Sequence, residues 1–226
     1  MLKRLTASLA FAIGLAGGVG GANAAAPQPD AQLRTIKSTP ELVAKGKAAF
    51  AMCVGCHGAD GEGRVGMAPK LTSKSFLASA SDRMLVDVIT KGRAGTTMVP
   101  WGASLKPDQV QGIVAWLRSK TPSEPVALNE GPLKGDLATG ERVFRTICSM
   151  CHGRSGAGYQ ESGSGTGIGR AVFLDTATDG YMRYITRHGK TETKMRPFAL
   201  KSPAAVANLS DLEIDSVILW LRKSAW

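Results

Sequence analysis

The apolar residues along this chain fall into a helical period that occurs twice. Val110, Ile113, Val114 and Leu117 follow i, i+3, i+4, i+7 within VQGIVAWLR (110–118). Ile214, Val217, Ile218 and Leu221 repeat the stripe within IDSVILWLR (214–222), and Trp116 and Trp220 hold the same place in each. These stripes predict two helices that each turn one face into a core. The second opens on a capping box, Ser210 with Glu213. Thr39 followed by Pro40 predicts a helix start, with the helix running through Phe50 towards Cys53. A further helix is expected after Ser81, and its counterpart near Asp179.

The repetition extends beyond the stripes. GKAAF (46–50) is answered by GERVF (140–144), and TKGRAGTTMVPW (90–101) by TRHGKTETKMRPF (186–198), in which His188 reads as an unmatched insertion. Between the halves, residues 121–136 carry three prolines and no apolar period, which marks a linker. The expected organisation is a leader over 1–24, an N-terminal lead over 25–38, a first domain over 39–120, the linker over 121–136 and a second domain over 137–226. No strand pattern interrupts the halves, so the fold class is all-α. Helical units this small bury too little apolar surface to be stable without help. The glycine-rich run 153–170 neither follows a strand nor opens a capped helix, so it is not a dinucleotide fingerprint. Its glycines instead suit backbone passing close to a bulky group.

The first residues change the picture of where the chain works. Lys3 and Arg4 precede an apolar run from Leu5 to Val19, and Ala22-Asn23-Ala24 forms a cleavage signal. This predicts a Sec-type signal peptide, export to the periplasm, and a mature protein without an integral membrane segment. Net charge is +10, or +8 without the leader's Lys3 and Arg4. The basic residues are scattered rather than gathered in a run, which argues against nucleic acid and suits a basic surface facing acidic protein partners.

All four cysteines lie in two pentapeptides, CVGCH (53–57) and CSMCH (148–152). A disulfide framework gives no reason for a histidine after each pair. A zinc ribbon places its knuckles about 15–20 residues apart, whereas 91 residues separate Cys56 from Cys148. A thioredoxin-like pair belongs in a βαβ setting, which is missing. Covalent haem attachment accounts for the pattern. The cysteines Cys53, Cys56, Cys148 and Cys151 would form thioethers to two haem c groups, and His57 and His152 would ligate the two irons. Three histidines cannot supply bis-histidine ligation twice. Met98 and Met195, in matched Met-x-Pro-aromatic settings 41 and 43 residues after their histidines, are the expected sixth ligands. Met67 competes for the first iron and His188 for the second. Met52, Met150, Met84 and Met182 are expected to be packing residues.

With these motifs in their order, residues 39–226 resemble a diheme member of the class I cytochromes c, two domains of that family in tandem, each wrapped around a covalently bound haem. The resemblance implies low-spin His/Met haems that carry one electron each and bind no substrate at iron. Two departures from the family pattern stand out. Phe144 lies four residues before Cys148, the family's usual spacing, but Phe50 lies three before Cys53, which predicts a local irregularity after the first helix. The family also uses a proline carbonyl to fix the proximal imidazole. Pro69 can serve His57, whereas the second half has GRAVFL and no proline there, leaving the partner of His152 open.

The expected function is periplasmic electron transfer between redox proteins, with a dehydrogenase and a terminal oxidase or reductase as possible partners. Two alternatives follow from the same residues: the cytochrome subunit of a larger dehydrogenase complex, and a diheme enzyme of peroxidase or thiol-oxidising type. The second needs an iron with an open position and nearby acid/base or thiolate groups, and no fifth cysteine exists to supply one.

Overall fold

A computed structural model describes residues 24–199, 201, 203, 205 and 207–226. The expected leader, apart from Ala24, lies outside the described residues. The described residues are helical, with isolated bridges Arg64–Ala68 and Ala199–Leu209 and no named strand among them. No helix among them is long and apolar enough to cross a membrane.

The first half contains α1 (Pro40–Phe50), α2 (Val54–His57), α3 (Lys74–Ser79), α4 (Asp82–Lys91) and α5 (Pro107–Lys120). The second contains α6 (Leu137–Val143), α7 (Ser149–His152), α8 (Ala171–Leu174), α9 (Asp179–His188) and α10 (Asp211–Lys223). The expected caps form: Thr39, Ser81 and Ser210 each accept an amide of the first turn, as does Thr178 at the start of α9.

Each half is built on one helix crossing. Helix α1 lies across α5 so closely that a Cβ on Gly46 would sit 1.8 Å from the Gly112 carbonyl oxygen. Helix α6 crosses α10 in the same way, with Gly140 against the Ser216 carbonyl at 2.0 Å. The close approach brings Phe50 onto Trp116, ring centroids 4.3 Å apart, and Phe144 onto Trp220 at 4.5 Å. The two apolar stripes are buried along their length, which accounts for their matching period.

The stripes end on arginines that knit each half together. Arg118 bonds Asp82 and the carbonyls of Leu77 and Ala80; Arg222 bonds Asp179 and the carbonyls of Leu174 and Ala177. The N-terminal lead is tied to this knot, since Asp82 also accepts the Thr35 and Ile36 amides. The segment read as a linker is held as firmly. Arg183 pairs with Asp215 and donates to the carbonyls of Asn129, Gly131 and Pro132. Ala24, the last residue of the expected leader, is buried with its N–H on the Arg222 carbonyl, a contact that cleavage after Ala24 would remove.

The helix leading to each CxxCH adjusts differently. In the first half α1 gives way to a turn over Ala51–Cys53 before α2. In the second, the extra residue is absorbed as a π-helix, Phe144–Cys148, that runs on into α7. The irregularity expected after Phe50 is present, and the second half carries its own.

The halves meet through α3 and α9 and through the loops that follow α4 and α9. Aligning Asp82 with Asp179 sets Phe76 opposite Phe173 and Arg93 opposite Lys190, and these pairs cross over between halves. The Lys190 ammonium lies 4.3 Å from the Phe76 ring centroid and the Arg93 guanidinium 5.1 Å from that of Phe173. Phe76 also meets Tyr181 edge-on at 6.5 Å. One flank of the contact is polar: Ser75 donates to the Gly189 carbonyl at 2.9 Å, Thr191 N–H donates to Ser75 at 2.9 Å, and Lys70 pairs with Glu192.

Candidate metal centres

Both CxxCH motifs end on a short helix, so cysteines and histidine are presented from one turn of backbone. None of the four cysteines is in a disulfide. Burial, with Cys56 next to it, raises the Cys53 thiol's pKa, and burial with Cys151 pushes Cys148 up to about 12.

The two imidazoles are oriented alike. His57 Nδ1 lies 3.1 Å from the Pro69 carbonyl, and His152 Nδ1 lies 2.7 Å from the Thr166 carbonyl. With Nδ1 donating, each ring keeps the Nε2 lone pair for a metal. The partner left open for His152 is thus a backbone carbonyl in the place where the first half has Pro69; no proline is needed, because the bond uses the carbonyl and not the ring. That carbonyl comes 14 residues after His152 but 12 after His57. The extra length lies in the glycine-rich loop, where a Cβ on Gly165 would meet the His152 ring at 2.8 Å. Burial lowers the pKa of both imidazoles against the opposing carbonyl bond, and at His57 the Lys190 charge lowers it further.

The methionine loops are near-copies. The Arg93 amide donates to the Met98 carbonyl at 2.8 Å and the Lys190 amide to the Met195 carbonyl at 2.7 Å. Thr96 and Thr193 each accept the following methionine's amide at 3.1 Å. Both loops turn at a glycine of positive φ, Gly92 (66°) and Gly189 (69°), whose missing Cβ leaves room for the methionine carbonyl. Met98 and Met195 are half-buried in these loops, whereas Met67 is exposed.

Three expectations need correction. Met52 and Met150 are not packing residues: they are 47% and 70% exposed, because the turn that presents each CxxCH points them outward. Met84 and Met182 are buried as expected. His188 is not an insertion. Helices α4 and α9 have equal length and place His188 opposite Lys91, exposed and with its ring 4.5 Å from Tyr184.

Arg93 and Lys190 carry a signal visible in the sequence, a matched cation one residue after each loop glycine, Gly92 and Gly189, whereas Lys70 follows Pro69 and has no counterpart in the second half. Buried Arg93 Nη1 has no hydrogen-bond partner, and neither Arg93 nor Lys190 is paired with an acid among the described residues. Half-buried cations without an acidic partner suit a ligand that brings its own carboxylates. Together with the paired thiols and free Nε2 atoms, this donor set fits haem c.

The sequence profile of the family described as cytochrome c oxidase, cbb3-type, subunit III matches residues 41–117 and again residues 135–221. The chain belongs to this family. It is a diheme class I cytochrome c, an electron-transfer protein with two covalently bound haem c groups. The cbb3-type cytochrome c oxidase subunit FixP of Azorhizobium caulinodans is 30% identical over 171 residues, 66% of this chain and 55% of that protein. The subunit CcoP of Rubrivivax gelatinosus is 29% identical over 175 residues, 76% of this chain and 53% of that protein. The cytochrome thus spans about half the length of the curated relatives it matches. Among solved structures, a chain of the Kuenenia stuttgartiensis reducing HAO-like protein complex superposes with a TM-score of 0.52, covering 85% of this chain and 99% of that one. At 18% identity, that likeness shows the fold alone.

Proposed function

We propose that this cytochrome is exported by its N-terminal signal peptide and relays electrons between periplasmic redox proteins. Residues 39–120 and 137–226 form the two haem domains. Cys53 and Cys56 bind one haem, Cys148 and Cys151 the other, and the iron ligands are His57 with Met98 and His152 with Met195. The observation that carries this reading is the matched pair of histidines, each with Nδ1 on a backbone carbonyl and Nε2 left for iron. Haem c supplies reversible one-electron chemistry. The protein orients the imidazoles, fixes the methionine loops through Thr96 and Thr193, and holds the two sites at a set separation through the α3–α9 contact. Haem staining with intact mass tests it: two haems per chain are expected, and replacing Cys148 and Cys151 by alanine should leave one.

A second reading is favoured by the relatives, which are subunits of oxidases. In it the same relay is a permanent subunit of a larger respiratory complex. Native mass and co-purification from the periplasmic and membrane fractions separate a free carrier from a subunit.

A further inference from the structure

The contact between the halves has two flanks that the internal duplication makes equivalent, and just one of them is closed. On the closed flank α3 meets the loop after α9. Ser73 and Thr191 share a hydrogen bond at 3.1 Å, Ser75 donates to the Gly189 carbonyl at 2.9 Å, and Glu192 of the loop pairs with Lys70. On the other flank the same positions hold Arg170 for Ser73, Val172 for Ser75, Ala94 for Thr191 and Gly95 for Glu192. Val172 and Ala94 have no polar side-chain atom, and no acid stands where Glu192 does. Here the halves leave an open cleft of about 440 Å³, bordered by Ala94, Gly95, Val172 and Asp175 with Arg170 and Trp226. The Arg170 guanidinium lies 4.0 Å from the Trp226 ring centroid and donates to Gln160, which donates in turn to the Gly95 carbonyl. Its Nε is buried with no hydrogen-bond partner. Trp226 is held by its indole N–H on the Ser155 carbonyl at 2.9 Å, yet 48% of it stays exposed. Asp175 is exposed at the rim, so the half-buried charge of the cleft is Arg170.

We propose that the open flank docks an acidic side chain of a partner protein, which does on Arg170 what Glu192 does on Lys70 across the closed flank. That this partner exchanges electrons rests on the relay reading above. A buried N–H without an acceptor is costly, and a carboxylate is the acceptor that matches the planar guanidinium fork. The chain's net charge of +10 draws acidic partners and repels a second copy of itself, so the occupant is a different protein. The exposed face of Trp226 adds apolar surface beside the ion pair. Ala94 and Gly95 belong to the loop that carries Met98, and Arg170 lies four residues past Thr166, whose carbonyl holds His152. A partner seated in the cleft therefore touches segments that serve both proposed sites.

The test uses the full reduced diheme chain with a hexaglutamate peptide as probe. Nuclear magnetic resonance follows the Trp226 indole N–H, identified by its loss in Trp226→Phe. A saturable shift is expected that weakens with added salt, and Arg170→Gln should weaken binding about tenfold or more. Arg170→Lys keeps the charge and should retain most of the binding, in case the neutral variant folds poorly. Gly95→Glu puts an acid where the closed flank has Glu192. Both positions have left-handed backbone, φ 71° at Gly95 and 58° at Glu192, and the added Cβ meets the far end of the Arg170 side chain. This variant should fill the flank from within and abolish peptide binding, whereas Arg145→Gln, on an exposed arginine that does not border the cleft, should leave it intact. Binding that Arg170→Gln and Gly95→Glu leave unchanged belongs to the general basic surface and overturns the proposal. Equal binding of free glutarate, which marks a small-molecule site, or the lack of any saturable shift, overturns it too. The relay reading fails by a different result: one haem per chain in the intact mass, with the peptide still bound at Arg170.

Discussion

Asp82 receives Arg118 at 2.5 Å with 1% of its side chain exposed, and the same carboxylate takes the Thr35 and Ile36 amides of the N-terminal lead. One side chain thus joins α4, α5 and the lead. Asp82→Asn leaves the Arg118 guanidinium buried and unpaired, and breaking such a pair costs about 3–5 kcal/mol. Denaturant unfolding of the holoprotein should show that loss in the first half, with the second-half transition unchanged.

Gly46 packs against Gly112 with no room for a methyl group. Gly46→Ala forces α1 from α5, and overpacking of this kind costs about 1–3 kcal/mol. Because Phe50 and Trp116 lie along the same crossing, the variant should also change near-ultraviolet circular dichroism. Gly112→Ala should do the same, and Gly131→Ala, whose added carbon would meet just the Asn129 side chain, should do neither.

Asp215 gives the second half a defined acid sensitivity. Burial opposes its ionisation, but the Arg183 bond and the Lys134 amide outweigh it and hold the carboxyl below its ordinary value. A carboxylate depressed on folding contributes stability that is complete above its unfolded pKa, about 3.9, and is lost as pH falls through the lower folded value. Thermal melts from neutral pH downward should therefore hold to about pH 4 for this group and then fall. In Asp215→Asn the neutral-pH melting temperature drops and this part of the acid slope disappears.

His188 sits on the surface of α9 beside Tyr184, opposite Lys91. His188→Ala should leave both haem spectra and both potentials unaltered. Loss of a low-spin signal would reinstate it as a ligand.

The helices were legible because their caps and apolar periods are local signals: Thr39-Pro40, Ser81, Ser210 with Glu213, and the stripes ending at Arg118 and Arg222. The cofactor chemistry was legible because CxxCH is a compact pattern. What the sequence hid depends on distant contacts. Thr166 serves His152 through a backbone carbonyl, which no residue type announces. Lys190 acts on the opposite half, visible once α3 and α9 meet. The short helices α3 and α8 carry too few residues for a period to register. Segment 121–136 has no apolar period, yet Arg183 holds its Asn129, Gly131 and Pro132 carbonyls in place. Met52 and Met150 were misread since a methionine beside a cysteine has the same sequence signature whether it packs or faces solvent.

In the proposed relay each half supplies its own methionine to iron. The methionine-to-iron charge-transfer band of the oxidised protein in the near infrared measures this directly. The intensity of two such bands per chain is expected, half of it lost in Met98→Ala and half in Met195→Ala, with no carbon monoxide binding by the reduced wild type. A wild-type band of one or none with carbon monoxide bound, or an unchanged band in either variant, would contradict it and return the diheme enzyme to first place.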